Sequence, residues 1–178
     1  MAWVRLRRFL KHLEKKGEVL RINRPVDVAY EAGAIADLLV KNDGPAVVFE
    51  QPRLPDGTIS PMPMVMNLFG SHQRTLDALG ASHETEVGDR MTAMMKPDIG
   101  TFVKMPWKAL PLARDAFAMP PRKKRFAAPC QQVRMKEPDL TKLPIPKTWP
   151  MDGGHFVTLP LVVTKDPKTG EHNLGMYR

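Results

Sequence analysis

Apolar residues in the first part of the chain follow a helical periodicity twice. Residues 6–13 carry apolar side chains at helical spacing with Arg and Lys on the opposite face, and Gly17 is a C-terminal stop signal. Pro25 and Asp27 then predict the start of a second helix. The buried side of this second helix is expected to contain Ile35, Ala36, Leu38 and Leu39.

Short apolar runs between the helices predict strands. These runs occupy residues 18–22, 46–49 and 64–70. Residues 51–63 contain four prolines and the pair Asp56-Gly57, which predicts a loop or an open hairpin.

Two further helical patterns follow the third strand. Ser71 can cap a helix that ends at Gly80, and a second helix ends before Pro97. The apolar face of the last helix contains Val87, Met91, Met94 and Met95, a pattern more typical of adaptable packing than of a binding groove. The resulting order, α-β-α-β-β-α-α, predicts a mixed α/β domain over residues 1–118.

The pattern changes after residue 118. Residues 119–130 are basic and rich in proline, which favours a solvated linker. In residues 131–178, closely spaced prolines predict extended chain, and the apolar, β-branched run 156–164 predicts a strand in which Pro160 marks an edge or a bulge.

The sequence after this strand predicts a hairpin. "KDPKTGEH" (165–172) has the residues of a turn, so "NLGMYR" (173–178) is the returning strand. A lone hairpin is at best marginally stable, so we expect either packing on the first domain or, more strongly, that the chain is the front part of a longer protein.

Charge and cysteine usage narrow the class of protein. The net charge of +8 would favour binding of anionic partners, although a basic solvated surface explains the charge equally well. The single cysteine, Cys130, cannot form an internal disulfide, which favours a reducing, cytoplasmic compartment. The N-terminus lacks the apolar core of a secretory signal, and no apolar run is long enough to span a bilayer. The basic first helix leaves peripheral membrane contact open.

Candidate chemistry lies in the last predicted strand. The carboxamide oxygen of Asn173 suits Mg²⁺ or Mn²⁺ beside a phosphate, and the guanidinium of Arg178 suits a carboxylate or phosphate. Gly175 would let a flat ligand approach the backbone. In a regular strand the side chains of Asn173 and Arg178 point to opposite faces, unless a bulge near Gly175 re-aims one of them.

Several segments, in order, resemble the N-terminal part of the UbiD family of reversible decarboxylases. They are "LRRFLKHLEKKGEVLRINRPVD", "NLFGS", "APCQ", "LPIPKTWPMDGG", "TLPLVVTKDPKTG" and "NLGMYR". The resemblance implies an N-terminal α/β domain followed by a flavin-reductase-like split β-barrel, here only begun. It also implies prenylated FMN, a divalent metal, usually Mn²⁺, and K⁺ as cofactors, and a flavin prenyltransferase as the supplier of the flavin.

The same resemblance assigns roles to the final residues. Asn173 corresponds to the metal ligand of the family motif N-x-G-x-Y-R, and Met176, Tyr177 and Arg178 correspond to residues that contact the cofactor. Arg178 also corresponds to the catalytic arginine that orients the substrate carboxylate. The remaining metal ligands and the catalytic glutamates are expected after residue 178, so we expect the 178-residue chain alone to be inactive.

Substrate and alternatives remain open at this point. Relatives use aromatic or α,β-unsaturated acids, with 3-polyprenyl-4-hydroxybenzoate of ubiquinone biosynthesis among them, and the full-length form is expected to be a homo-oligomer. The competing hypotheses are a small basic nucleic-acid-binding module that uses residues 122–125, and a non-catalytic subunit that completes a partner's barrel.

Overall fold

The computed structural model describes residues 5–96, 107, 110, 113–114, 117, 120, 128 and 131–177. Among these residues, the α-helices and strands in chain order are α1 (Leu6–Lys15), β1 (Val19–Asp27), α2 (Glu31–Lys41), β2 (Ala46–Arg53), β3 (Met64–Met66), α3 (His72–Leu79), α4 (Glu84–Met95), β4 (Val162–Lys165) and β5 (His172–Gly175), with a short 3-10 helix at Leu140–Lys142. The predicted order of the first seven elements and the mixed α/β class are confirmed. The basic residues 122–125 and Cys130 lie outside the described residues.

The chain divides into two compact units. One contains Leu10–Ser71 and Asp139–Arg178, and the other contains Met1–Phe9 and His72–Pro138. The first unit therefore joins two stretches that lie far apart in the sequence.

The first unit is built on a three-stranded sheet in the order β1-β2-β3. Strands β1 and β2 are parallel, with Val19 opposite Ala46, and β2 and β3 are antiparallel, with Phe49 opposite Met64. The core residues come from β1, β2, β3 and α2 and the turn between β1 and α2: Val26, Val28, Ala32, Val47, Phe49 and Met64. All four residues of 46–49 are buried, as expected for a central strand covered on both faces.

Strand β1 runs further than its sequence indicates. The prediction that Pro25 and Asp27 begin a helix is wrong, because β1 continues through Pro25 to Asp27 and α2 begins at Glu31. The pairing with β2 shifts between Ile22 and Pro25. Such an irregularity lets a strand accept a proline, which has no N–H to donate to the sheet.

The predicted apolar faces of α2 and α4 differ in burial. On α2, Leu38 is 62% exposed, but Ala36 is buried and Ile35 and Leu39 pack against the core, as predicted. No residue of α4 is buried among those described, and Met95 is 78% exposed. Helical periodicity predicted the presence of both helices, but the burial of each apolar face depends on which elements pack against it.

Helix α1 ends in the way that its glycine predicts. Gly17 has φ +75°, its N–H donates to the carbonyl of Glu14, and the N–H of Glu18 donates to the carbonyl of Leu13. This pair of hydrogen bonds is a Schellman motif, which requires the left-handed conformation that glycine adopts without a steric cost.

The proline-rich segment 144–150 packs onto the start of α2. The N–H of Lys147 donates to the carbonyl of Val28 at 3.0 Å, and its carbonyl accepts from the N–H of Tyr30 at 2.8 Å. Tyr30 has φ 68° and ψ −50°, and the N–H of Glu31 donates to the carbonyl of Ala29 at 2.8 Å. This is a γ-turn with a positive φ, a rare and strained conformation for a residue with a side chain.

None of the helices among the described residues has the length and apolar character needed to cross a bilayer.

Candidate functional site

The predicted hairpin is present, although its strands are shorter than expected. Strand β4 begins at Val162 rather than Phe156, and β5 spans His172–Gly175. The residues before β4 include Pro160, which removes one backbone donor. In the antiparallel register Thr164 lies opposite Asn173, and Val162 lies opposite Gly175.

The turn between the strands is organised by Asp166. Its carboxylate accepts hydrogen bonds from the backbone N–H groups of Lys168 and Thr169, both at 2.7 Å. These bonds, with that from Thr169 the stronger influence, lower the pKa of Asp166 below its ordinary value. Gly170 closes the turn with φ +76° and donates its N–H to the carbonyl of Asp166. The turn thereby sets the register that puts Asn173 opposite Thr164.

Asn173 and Tyr177 are in direct contact at the end of β5. The Nδ2 of Asn173 donates to the Oη of Tyr177 at 2.9 Å. The tyrosine ring folds back across Gly175, where a Cβ would lie 2.6 Å from Cζ and 2.8 Å from Oη of Tyr177. Glycine is therefore the residue that leaves room for this contact, and its open side faces a side chain of the same motif rather than a free space for a ligand.

The other predicted site residues are only partly described. Met176 follows the end of β5 and is exposed. Arg178 lies outside the described residues, so the predicted bulge that would re-aim one of the two side chains stays a prediction. The structure thus brings together Asn173 and Tyr177, two of the four residues singled out.

Asn173 can provide one ligand to a divalent metal ion. Its Oδ1 accepts no hydrogen bond from the described part of the chain, and an amide oxygen suits Mg²⁺ or Mn²⁺. No group of three or more His, Cys, Asp and Glu side chains able to hold a metal occurs among the described residues. The donor chemistry fits one position of a metal centre whose other ligands would come from elsewhere.

Sequence reasoning did not find the bond between Asn173 and Tyr177. The two residues are four apart, a spacing that does not bring side chains together along a continuous strand. The signal available was Gly175 midway between them, since a residue without a side chain lets a ring beyond the strand's end fold back.

Two family models match the chain. Residues 10–94 match the 3-octaprenyl-4-hydroxybenzoate carboxy-lyase N-terminal domain, and residues 122–178 match the Rift-related domain of the same carboxy-lyase, both of the UbiD family. An uncharacterized protein of Archaeoglobus fulgidus is 39% identical over 178 residues, which is 100% of this chain and 35% of that protein.

Solved structures of UbiD-class enzymes share the fold. The vanillic acid decarboxylase of Sedimentibacter hydroxybenzoicus in its closed form is 25% identical, with a TM-score of 0.74 over 99% of this chain and 35% of that one. The UbiD-class enzyme HmfF of Pelotomaculum thermopropionicum, in complex with FMN, is 22% identical, with a TM-score of 0.69 over 96% of this chain and 33% of that one.

The chain spans about a third of the length of these relatives, 35% of the archaeal protein and 33% of HmfF. Both family models fall in chain order on the α/β region and on the segment that ends in the hairpin. The chain therefore belongs to the UbiD family of decarboxylases, and its Asn173 and Tyr177 lie in the Rift-related domain.

Proposed function

We propose that this chain forms the N-terminal domain and the beginning of the flavin site of a reversible, non-oxidative decarboxylase. The observation that carries the proposal is the Asn173–Gly175–Tyr177 arrangement at the end of a hairpin inside the segment that matches the Rift-related domain. The solved structures of HmfF contain FMN in one case and prenylated FMN in another, which supports a flavin as the cofactor.

Each residue of the motif has a proposed role. Asn173 would hold a divalent metal, Mn²⁺ in our proposal, through its amide oxygen, and such a metal would offset the negative charge of a flavin phosphate. Met176, Tyr177 and Arg178 contact the flavin. Arg178 holds the carboxylate of the substrate through its planar, permanently charged fork.

These roles address the difficulty of the reaction. Loss of CO₂ from an sp² carbon leaves electrons that need a sink, and the prenylated flavin supplies one when it is bound. Arg178 contributes by fixing the acid in one orientation, which reduces the entropic part of the activation free energy. Protonation of the carbon also requires a general acid, a role that this proposal gives to none of the four motif residues.

The proposed substrate is an aromatic or α,β-unsaturated carboxylic acid. The vanillic acid decarboxylase of Sedimentibacter hydroxybenzoicus supports an aromatic acid, and the description of the matching family as a 3-octaprenyl-4-hydroxybenzoate carboxy-lyase supports a polyprenylated hydroxybenzoate. A place in ubiquinone biosynthesis is part of our proposal. A flavin prenyltransferase supplies the cofactor, K⁺ accompanies the metal, and the full-length form is a cytoplasmic homo-oligomer.

The proposal is tested in the protein that contains this chain, produced together with a flavin prenyltransferase. We expect Arg178→Gln to lower decarboxylation of benzoic and cinnamic acids, measured per bound flavin, by about 100-fold, because the acid is no longer oriented. Asn173→Ala should lower the manganese content measured by elemental analysis.

Arg24→Gln is the matched control, because Arg24 is an exposed arginine whose 3.1 Å ion pair with Glu31 lies on the surface. It should change neither flavin content nor turnover. Unchanged turnover in Arg178→Gln together with unchanged manganese in Asn173→Ala would contradict the proposed function. A separate sample of the 178-residue chain should bind no flavin, since one metal ligand and one side of the site are insufficient to hold it.

A further inference from the structure

The hydrogen bond between Asn173 and Tyr177 constrains an otherwise free side chain. Asn173 is exposed at the end of a two-stranded hairpin, where an amide side chain can adopt several rotamers. The Tyr177 Oη accepts a hydrogen bond from the Nδ2 of this amide at 2.9 Å. The end left for another partner is Oδ1, the only part of the side chain able to bind a cation.

The position of the tyrosine is itself determined by the motif. Its ring lies over Gly175, where any Cβ would fall well inside van der Waals contact of Cζ and Oη. The ring therefore rests against backbone, and its hydroxyl is held beside Asn173. A tyrosine hydroxyl could instead donate to Oδ1 of Asn173, but the NH₂ group would then face the cation, which it cannot bind. The observed bond from Nδ2 to the hydroxyl and a cation bound at Oδ1 therefore favour the same orientation of the amide.

We propose that Tyr177 is a positioning residue for Asn173: its hydroxyl engages the amide Nδ2 and thereby presents Oδ1 to the divalent metal. This inference rests on the proposed function, in which Asn173 is a metal ligand. It gives Tyr177 a role through Asn173 in addition to any contact with the flavin. Residues that orient a metal ligand from the outer shell typically change metal affinity by about 10- to 100-fold.

The test measures Mn²⁺ affinity in the FMN-loaded protein that contains this chain, from the electron paramagnetic resonance signal of free Mn²⁺ during a titration. Tyr177→Phe keeps the ring over Gly175 and removes only the hydroxyl. We expect its dissociation constant for Mn²⁺ to rise by about 10-fold in samples matched for bound FMN.

The other tyrosine provides a matched control. The chain has two tyrosines, and the ring of Tyr30 is approached by the Nζ of Lys147 at 5.6 Å from its centroid. The Tyr30 hydroxyl makes no hydrogen bond among the described residues, so Tyr30→Phe should leave the Mn²⁺ affinity unchanged.

A double-mutant cycle separates positioning from a merely structural effect. In the Asn173→Asp background both side-chain oxygens can bind the cation, so there is no amide orientation left to fix. Adding Tyr177→Phe to that background should change the Mn²⁺ affinity by less than about 2-fold, whereas a packing defect would cost the same in both backgrounds.

The outcomes distinguish this inference from the proposed function. If Asn173→Ala leaves the Mn²⁺ affinity unchanged, Asn173 is not a ligand, so this inference and the metal-binding role of Asn173 both fail, while the proposed decarboxylation is still judged by Arg178→Gln. If Asn173→Ala weakens Mn²⁺ binding but Tyr177→Phe does not, or if Tyr177→Phe costs equally in the Asn173→Asp background, the positioning role alone is overturned. Weakened binding in Tyr177→Phe that vanishes beside Asn173→Asp supports it.

Discussion

At the scale of single residues, Gly175 matters because the absence of a side chain leaves room for the ring of Tyr177. The atoms that a Cβ would meet belong to the far end of the Tyr177 side chain rather than to backbone. A flexible exposed ring can move aside at little cost in free energy, so Gly175 matters for the position of Tyr177 more than for stability.

We therefore predict that Gly175→Ala changes the free energy of unfolding by less than about 0.5 kcal/mol, as for most surface substitutions. It should nevertheless shift the side-chain NH₂ resonances of Asn173 in an NMR spectrum, because the displaced ring no longer accepts their hydrogen bond. Gly153→Ala is the control, since no atom lies within 4 Å of a Cβ at that position. Unshifted Asn173 resonances in Gly175→Ala would show that the ring does not need the glycine.

Asp166 gives the turn of the hairpin a dependence on pH. The N–H groups of Thr169 and Lys168 stabilise its charged form and lower its pKa in the folded hairpin. A group with a lowered pKa contributes stability above its unfolded pKa of about 3.9. That contribution is lost as the pH falls through the lower, folded pKa.

We accordingly expect the amide proton shifts of Lys168 and Thr169 to titrate with a midpoint below about pH 3.9, the ordinary value for Asp. Asp166→Asn should abolish this titration, since the carboxylate that accepts both bonds is gone. A midpoint at or above the ordinary value would contradict the role of the backbone hydrogen bonds.

At the scale of elements, helices α2 and α4 each contain a glycine, and the two positions differ in what surrounds them. A Cβ at Gly33 of α2 would lie 3.0 Å from Cγ2 and 3.1 Å from Cα of Thr148, so the segment after Pro146 packs directly on this helix. A Cβ at Gly88 of α4 would meet no atom within 4 Å. Helix propensity favours alanine equally at both positions, and only packing separates them.

The same substitution should therefore have opposite effects in the two helices. Gly88→Ala should stabilise the protein by about 0.5–1 kcal/mol through helix propensity. Gly33→Ala should destabilise it by about 1 kcal/mol or more, because overpacking against backbone exceeds that gain. Urea unfolding followed by circular dichroism measures both, and stabilisation by Gly33→Ala would show that segment 144–150 does not pack tightly on α2.

At the scale of the whole molecule, local patterns carried the order of elements but not their partners. The apolar run 46–49, the Gly17 stop and the turn at Asp166 and Gly170 act within a few residues, and each was predictable. The continuation of β1 through Pro25 depends on pairing with β2, and the exposure of Leu38 depends on what covers α2. Such contacts between distant residues leave no periodic signal in a single sequence.

The candidate site divides in the same way. The ability of Asn173 to bind a metal through its amide oxygen could be predicted from the residue type, and its assignment as a metal ligand came from the resemblance to the UbiD family. The bond to Tyr177 depends on the chain folding back after β5, which strand periodicity does not predict. Arg178 stays a prediction.

The strained turn at Tyr30 has a consequence for how the protein is made. Its positive φ costs roughly 1–3 kcal/mol, and the bonds flanking it involve Lys147, more than a hundred residues later in the chain. On the ribosome, the start of α2 thus lacks its support until that lysine has emerged. The turn at Tyr30, within the first matched domain, is therefore supported by backbone hydrogen bonds from the second.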